Sequence, residues 1–190
     1  MRYEIRLSGS GGQGLILAGL ILSEAAGIHR GWNVVQTQSY GPESRGGASR
    51  SDIIISDEEI DYPETEMLDV LIAMNQASLD IHIHYLKDSG LLLVDSTLVS
   101  QPYREDAVCI PFTQIAKERF NNILVANMIA IGSLAHVLKR YQVNKRLLFT
   151  INAIEKAIST HVPQDMLEAN LKALHKGIKI FNKSITYSKT

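Results

Sequence analysis

The chain has 190 residues, 45% of them hydrophobic and 21% charged, with a formal net charge of −1. That is enough apolar material for one core and little for two, so residues 1–190 read as a single domain. A near-neutral chain lacks the basic footprint of a nucleic-acid binder. Its longest apolar run, residues 15–22, is far below the roughly 20 residues of a membrane span. Residues 1–6 do not resemble a signal peptide, so a cytoplasmic location is expected. The one cysteine, Cys109, can form no internal disulfide and cannot hold an iron–sulfur cluster.

In chain order, residues 3–8 alternate apolar and polar with the period of a strand. A glycine-rich stretch, Gly9 to Gly14, breaks the pattern. Residues 15–28 then predict a helix that is apolar over most of its circumference, as in helices buried against a sheet. Gly31 ends it. Residues 33–37 predict a second strand and residues 50–56 a third, with a glycine- and proline-containing loop over 39–47 between them. Residues 69–74 predict a strand, 76–86 a helix and 87–90 a turn. Residues 91–95 are a continuous apolar run, as in a strand covered on both faces. Residues 107–110 predict a last short strand.

From Thr113 onward the period is helical, with helices expected over 124–140 and 145–159. Pro163 breaks the chain. Leu167, Leu171, Leu174, Ile178 and Phe181 then step at helical spacing, forming a seam for the core or for a partner. Strand–helix–strand followed by helices argues for an α/β fold: a three-layer Rossmann-like sandwich with a mostly parallel sheet and a helical C-terminal portion.

Two segments carry chemistry. Gly9, Gly11 and Gly14 match G-x-G-x-x-G between a strand and a helix. Glycines permit a tight turn and close approach of a phosphate, and the helix start offers N–H donors. A dinucleotide site also needs an acidic residue at the end of the second strand. Residues 34–38 hold none, and the next carboxylate is Glu43. A sharp turn with no ligand is the plain alternative. The second segment is Tyr40, Gly41, Pro42, Glu43, Ser44, Arg45, Gly46 and Gly47. In a parallel sheet it would lie at the carboxyl edge, near the glycine loop, where open α/β sheets bind ligands. Arg45 suits a phosphate or carboxylate. The aromatic, the glycines and the arginine also suit a docking surface. A solvated loop is the bland reading.

Other residues read as structural. The six histidines read as surface or helix-end groups, with His82 and His84 two apart and so on different faces. Cys109 reads as a small buried residue, and Trp32 as core. Asp95 reads as the cap of a turn, with a place in the crevice as the second option.

The order of these segments carries a resemblance. Gly9-Ser10-Gly11-Gly12-Gln13-Gly14, then Ser39 to Gly47, Asp69 to Met74, Leu93-Val94-Asp95-Ser96 and Asn127 to Gly132 resemble the gamma subunits of 2-oxoacid:ferredoxin oxidoreductases, of the pyruvate and 2-oxoglutarate types. The likeness covers essentially the whole chain, which would be one pyruvate/ketoisovalerate oxidoreductase gamma-type domain. The run from Gln36 to Glu43 is most similar to the small chains of 2-oxoglutarate enzymes. The resemblance implies a subunit of an oxidoreductase that converts a 2-oxoacid to acyl-coenzyme A and reduces ferredoxin. It implies thiamine diphosphate, Mg, iron–sulfur clusters and coenzyme A in the complex, with none bound by this chain alone. Alpha, beta and delta subunits are the expected partners, with a homodimer for the isolated chain, and no nucleic acid or membrane. No catalytic or metal residue is expected in this chain. Gly9, Gly11, Gly12, Gln13, Gly14 and Arg45 are candidates for the phosphate of coenzyme A. Tyr40, Gly41, Pro42, Glu43, Arg45, Gly46 and Gly47 are candidates for a subunit interface. The alternatives are a purely structural assembly subunit and a stand-alone nucleotide-binding Rossmann protein.

Overall fold

The structure is a computed structural model that describes residues 1–40, 48–140 and 148–180. Among these, six strands form one sheet: β1 (Arg2–Ser10), β2 (Asn33–Tyr40), β3 (Ala48–Ser56), β4 (Leu68–Ala73), β5 (Leu86–Asp95) and β6 (Val108–Ile110). The helices are α1 (Leu15–Arg30), α2 (Gln76–His82), α3 (Phe112–Phe120), α4 (Ala126–Arg140), α5 (Ile151–His161) and α6 (Gln164–Ile180). The strand order is β2-β3-β1-β4-β5-β6. β1, β4, β5 and β6 run parallel. β3 runs antiparallel to both β1 and β2.

The sheet is thus an α/β sheet that is mostly parallel, with an antiparallel wing, and the wing corrects the expectation in one respect. The strand beside β1 is β3, not β2. β2 and β3 are held in one continuous antiparallel register, from Asn33 opposite Ser56 to Tyr40 opposite Ser49. The parallel β1–β2 neighbours of a dinucleotide fold do not form. The stand-alone Rossmann reading fails on this topology as well as on its missing carboxylate.

The two faces are unequal. Ile5, Leu7, Ile53, Ile55, Val70, Ile72 and Leu93 bury one face under α1, α3, α4, α5 and α6. Leu71, Ala73, Leu92 and Val94 bury the other with Leu79 of α2 and Val99. Each fully buried Ile or Leu contributes about 1.5–3 kcal/mol. Period-2 alternation in β1 sends Tyr3, Ile5 and Leu7 to the helical layer. Glu4, Arg6 and Ser8 therefore face the other side, where they too are buried.

Those polar groups are satisfied. The Arg6 guanidinium holds Asp52 in two-pronged fashion, Nε to Oδ1 at 2.6 Å and Nη2 to Oδ2 at 2.8 Å. It also donates to Thr65 Oγ1 at 2.8 Å and lies 5.1 Å from the centre of the Tyr85 ring. The Glu4 carboxylate accepts from Arg2 Nε and from the Glu66 and Met67 amides. This network fastens the β3–β4 connection across β1.

α4 and α6 cross at close range because Gly132 and Gly177 bring backbone against backbone. A Cβ on Gly132 would land on the Leu174 carbonyl, and one on Gly177 on the Ile129 carbonyl. The predicted Leu seam of α6 flanks this crossing. The line buried deepest is Asn170, Ala173, Leu174 and Gly177. Phe181, the last residue of the predicted seam, lies outside the described residues.

Several boundaries differ from expectation for local reasons. The 87–90 turn lies within β5, as an irregularity where the pairing jumps from Leu68 with Leu86 to Val70 with Leu91. α5 begins at Ile151, not 145, because Thr150 caps it by accepting from the Ala153 amide. α3 was not foreseen as a separate element. Cys109 is exposed, because Val108 and Ile110 take the buried positions of β6 and turn the residue between them outward.

Candidate carboxyl-edge site

Gly9 to Gly14 join β1 to α1 at the carboxyl edge of the sheet. Gly12 and Gly14 have φ of 86° and 70°, the left-handed region that favours glycine. Gly14 is the N-cap of α1, and no side chain caps that helix start. Gly11 and Gly12 are exposed.

The loop is closed by its own glutamine. Gln13 Oε1 accepts from the Ser10 amide at 2.7 Å, and Gln13 Nε2 donates to the Met74 carbonyl at 3.5 Å. Gly9 is required here by packing: a Cβ would land on Gln13 Oε1 and lie 2.9 Å from Met74 Cβ.

Further amides knit the neighbouring strand ends together. Asn127, buried at the start of α4, donates to the Gly14 carbonyl at 2.9 Å. A Cβ on Gly14 would land on that same Asn127 amide. Asn75 donates to Ser10 Oγ at 2.7 Å while accepting from Ser78 to cap α2. Gln76 Oε1 accepts from the Ser100 and Gln101 amides, both at 3.0 Å. Sequence reasoning gave Asn75, Gln76 and Asn127 no role. The available signal was an amide at the first positions after β4 and at the start of α4, where freed backbone groups need partners.

Four described loop stretches at this edge carry no charged residue, whereas Arg50 of β3 stands at the same end of the sheet. Residues 10–14, 74–75, 96–101 and 121–125 contain no Lys, Arg, Asp or Glu. Asp95, fully buried, is consumed by the Thr97 amide and by the Thr113 amide and hydroxyl. It is the structural cap that the sequence suggested.

The second segment falls largely outside the described residues. Tyr40 closes β2, and Gly41, Pro42, Glu43, Ser44, Arg45, Gly46 and Gly47 lie outside them. Their flanks are placed: Tyr40 pairs with Ser49, and Ala48 pairs with Ser10. The segment therefore ends beside the glycine loop and starts one strand further out, because β2 and β3 pair antiparallel and not as the parallel strands expected. Arg50, not singled out from sequence, stands opposite Ser8 with Nε 3.6 Å from Asp52.

The histidines are less uniform than expected. His82 is buried beside Arg6, with Nδ1 3.4 Å from Nη1. Burial, and then the Arg6 charge, lower its pKa to about 4. His161 and His29 converge on Glu24, at 2.5 and 3.3 Å. No group of three or more His, Cys, Asp or Glu among the described residues could hold a metal. No helix among them is long and apolar enough to cross a membrane.

Comparison with known proteins gives this geometry its context. The chain is 42% identical over 184 residues to the 2-oxoglutarate synthase subunit KorC of Methanocaldococcus jannaschii, covering 95% of this chain and 94% of that protein. A solved gamma subunit of a keto/oxoacid ferredoxin oxidoreductase from Geobacter sulfurreducens superposes with a TM-score of 0.80 at 40% identity, over 94% of this chain and 95% of that one. The 2-oxoglutarate:ferredoxin oxidoreductase of Magnetococcus marinus shares the fold, with a TM-score of 0.81 at 23% identity. There, 98% of this chain matches 32% of a longer one. The model of the pyruvate ferredoxin/flavodoxin oxidoreductase family matches residues 4–180. The chain belongs to the pyruvate ferredoxin/flavodoxin oxidoreductase family, as a gamma-type subunit.

Proposed function

We propose that this chain serves a cytoplasmic 2-oxoacid:ferredoxin oxidoreductase complex whose substrate is 2-oxoglutarate. The observation that carries the substrate is the near-complete coverage, on both sides, of the match to a 2-oxoglutarate synthase subunit. The complex would join it to alpha, beta and delta subunits. These would hold thiamine diphosphate, Mg and the iron–sulfur clusters and deliver electrons to ferredoxin. The chain forms one domain and contributes no catalytic residue.

Two readings of the carboxyl edge compete. In the first, Gly9, Gly11, Gly12, Gln13, Gly14 and Arg45 contact the phosphate end of coenzyme A, supported by the uncapped start of α1 and the exposed Gly11 and Gly12. Tyr40, Gly41, Pro42, Glu43, Arg45, Gly46 and Gly47 then meet a neighbouring subunit. In the second, the chain is a structural assembly subunit and the edge takes no ligand. The bond between Gln13 and Ser10 favours this reading, because a phosphate at those donors would first have to displace it.

The test is purification from the native cell at low salt, followed by oxoacid-dependent dye reduction. Co-elution with a thiamine-binding chain and greater turnover with 2-oxoglutarate than with pyruvate are expected. Elution alone overturns the subunit role; a preference for pyruvate overturns the substrate. Gly11→Ala and Arg45→Gln in the complex should raise the apparent KM for coenzyme A if the first edge reading holds, and leave it unchanged if the second does.

A further inference from the structure

Residues directly opposed in an antiparallel pair share a face of the sheet. Arg50 stands opposite Ser8 of β1 and Ser39 of β2, and Asp52 opposite Arg6 and Thr37. All of them therefore lie on the side away from α1, with Arg6. Two guanidinium groups there share one buried carboxylate, and they share it unequally. Arg6 takes both oxygens of Asp52, and Thr65 donates to Oδ2 at 3.2 Å. Arg50 Nε stops 3.6 Å from that same oxygen, beyond hydrogen-bond reach. Among the described residues Arg50 has no other carboxylate and donates no hydrogen bond. Two positive groups on one negative group leave one positive charge over. The Arg50 side chain is 42% exposed, so that charge meets solvent.

His82 adds a second donor at the same place. Its Nδ1 lies 3.4 Å from Arg6 Nη1. A guanidinium can only donate, so Nδ1 is the acceptor and the ring proton is assigned to Nε2. That N–H has no acceptor among the described residues. The residue is 6% exposed, yet Nε2 itself is not sealed from solvent. Burial first, then the charges of Arg6 and Arg50, keep the ring neutral. Arg50 is therefore close enough to His82 for its charge to be felt there.

We infer that Arg50, with the Nε2–H of His82 and the exposed hydroxyl of Ser39 beside it, binds an oxyanion: a carboxylate or phosphate group. Such a group cancels the charge left over by Asp52 and supplies the acceptors that Arg50 and His82 lack. The planar fork of a guanidinium matches two oxygens of either group. A cation would be repelled by Arg6 and Arg50, and a neutral ligand would leave the charge in place. The site lies on the face of the sheet opposite α1. It uses neither the glycine loop nor Arg45, so it stands apart from the coenzyme A reading.

The full-length chain, labelled with carbon-13, is titrated with inorganic phosphate and separately with acetate at constant ionic strength and neutral pH. The readout is the NMR signal of the His82 ring, assigned through His82→Gln. A saturable shift of that signal is expected. Arg50→Gln should weaken the binding by at least about tenfold, because a hydrogen-bonded charge is lost. Arg119→Gln removes the same charge from an exposed position of α3 and should leave it unchanged. Arg50 donates no hydrogen bond to the fold, so Arg50→Gln should melt with the wild type when no anion is present. Tighter binding of phosphate or of acetate names the group that the site takes. A His82 signal that responds saturably to neither anion overturns the proposal. Wild-type binding by Arg50→Gln also overturns it, as does equal weakening by Arg119→Gln, which would show only a general effect of charge.

Discussion

The α4–α6 crossing yields a sharp numerical contrast between two glycines. A Cβ on Gly132 would lie 3.0 Å from Leu174 C and 3.3 Å from Ile178 N, and nearer still to the Leu174 carbonyl oxygen. All three atoms are backbone, so no side chain can swing aside, and α6 must back away by about an ångström. Overpacking of this kind costs about 1–3 kcal/mol, and a backbone clash belongs at the upper end. Against it stands the gain of about 1 kcal/mol from replacing glycine with alanine inside a helix. The clash wins, and Gly132→Ala should lose about 1–2 kcal/mol. In α1, Gly27 offers the control. Its Cβ would meet Val34 Cγ2 at 3.5 Å and nothing closer, an ordinary contact. Gly27→Ala should therefore be neutral or gain up to about 1 kcal/mol. Urea denaturation of both variants, with an unchanged m-value, measures the gap directly. If Gly132→Ala proves as stable as Gly27→Ala, the close crossing is not as described.

Three further outcomes are expected. Asp52→Asn leaves the Arg6 guanidinium buried without its carboxylate and should cost about 3–5 kcal/mol by chemical denaturation. His82 is held neutral, with a folded pKa of about 4 against 6.5 for the free group. The unfolded chain binds its proton first, so this stabilisation is complete above pH 6.5 and is lost as pH falls from 6.5 toward 4. Between pH 7 and 5 the wild type should lose about 2 kcal/mol more than His82→Gln; equal losses would refute the assignment. Asn127→Ala removes the bond to the Gly14 carbonyl and should cost about 1 kcal/mol, with hydrogen-exchange protection lost first at residues 10–18.

Much of the fold was legible in one dimension. Alternation in β1 and the apolar run in β5 mark strands because a pleated strand and a doubly covered strand each leave a local pattern. The end of α1 at Gly31 was legible because the chain there needs φ of 73°. Gly9 to Gly14 announced a sharp βα turn for the same local reason.

What pairs with what is not local. β3 inserts antiparallel between β1 and β2, and strand composition does not encode a neighbour's direction. The antiparallel pairing of β3 with β1 brings Ala48, which follows the 41–47 segment, to Ser10. Arg6 reads as a surface charge on an alternating strand. It becomes a buried anchor only because Asp52 lies opposite it, 46 residues away, and Thr65 closes over it. Gln13 likewise looks like one more loop residue until Ser10 and Met74 come within reach of its amide. The sequence by itself determined where strands and helices form and where the chain must turn, because those depend on neighbours a few residues apart. The tertiary structure alone decided which polar groups are buried, which strands are neighbours and what fills the glycine loop, because each depends on partners distant in the chain.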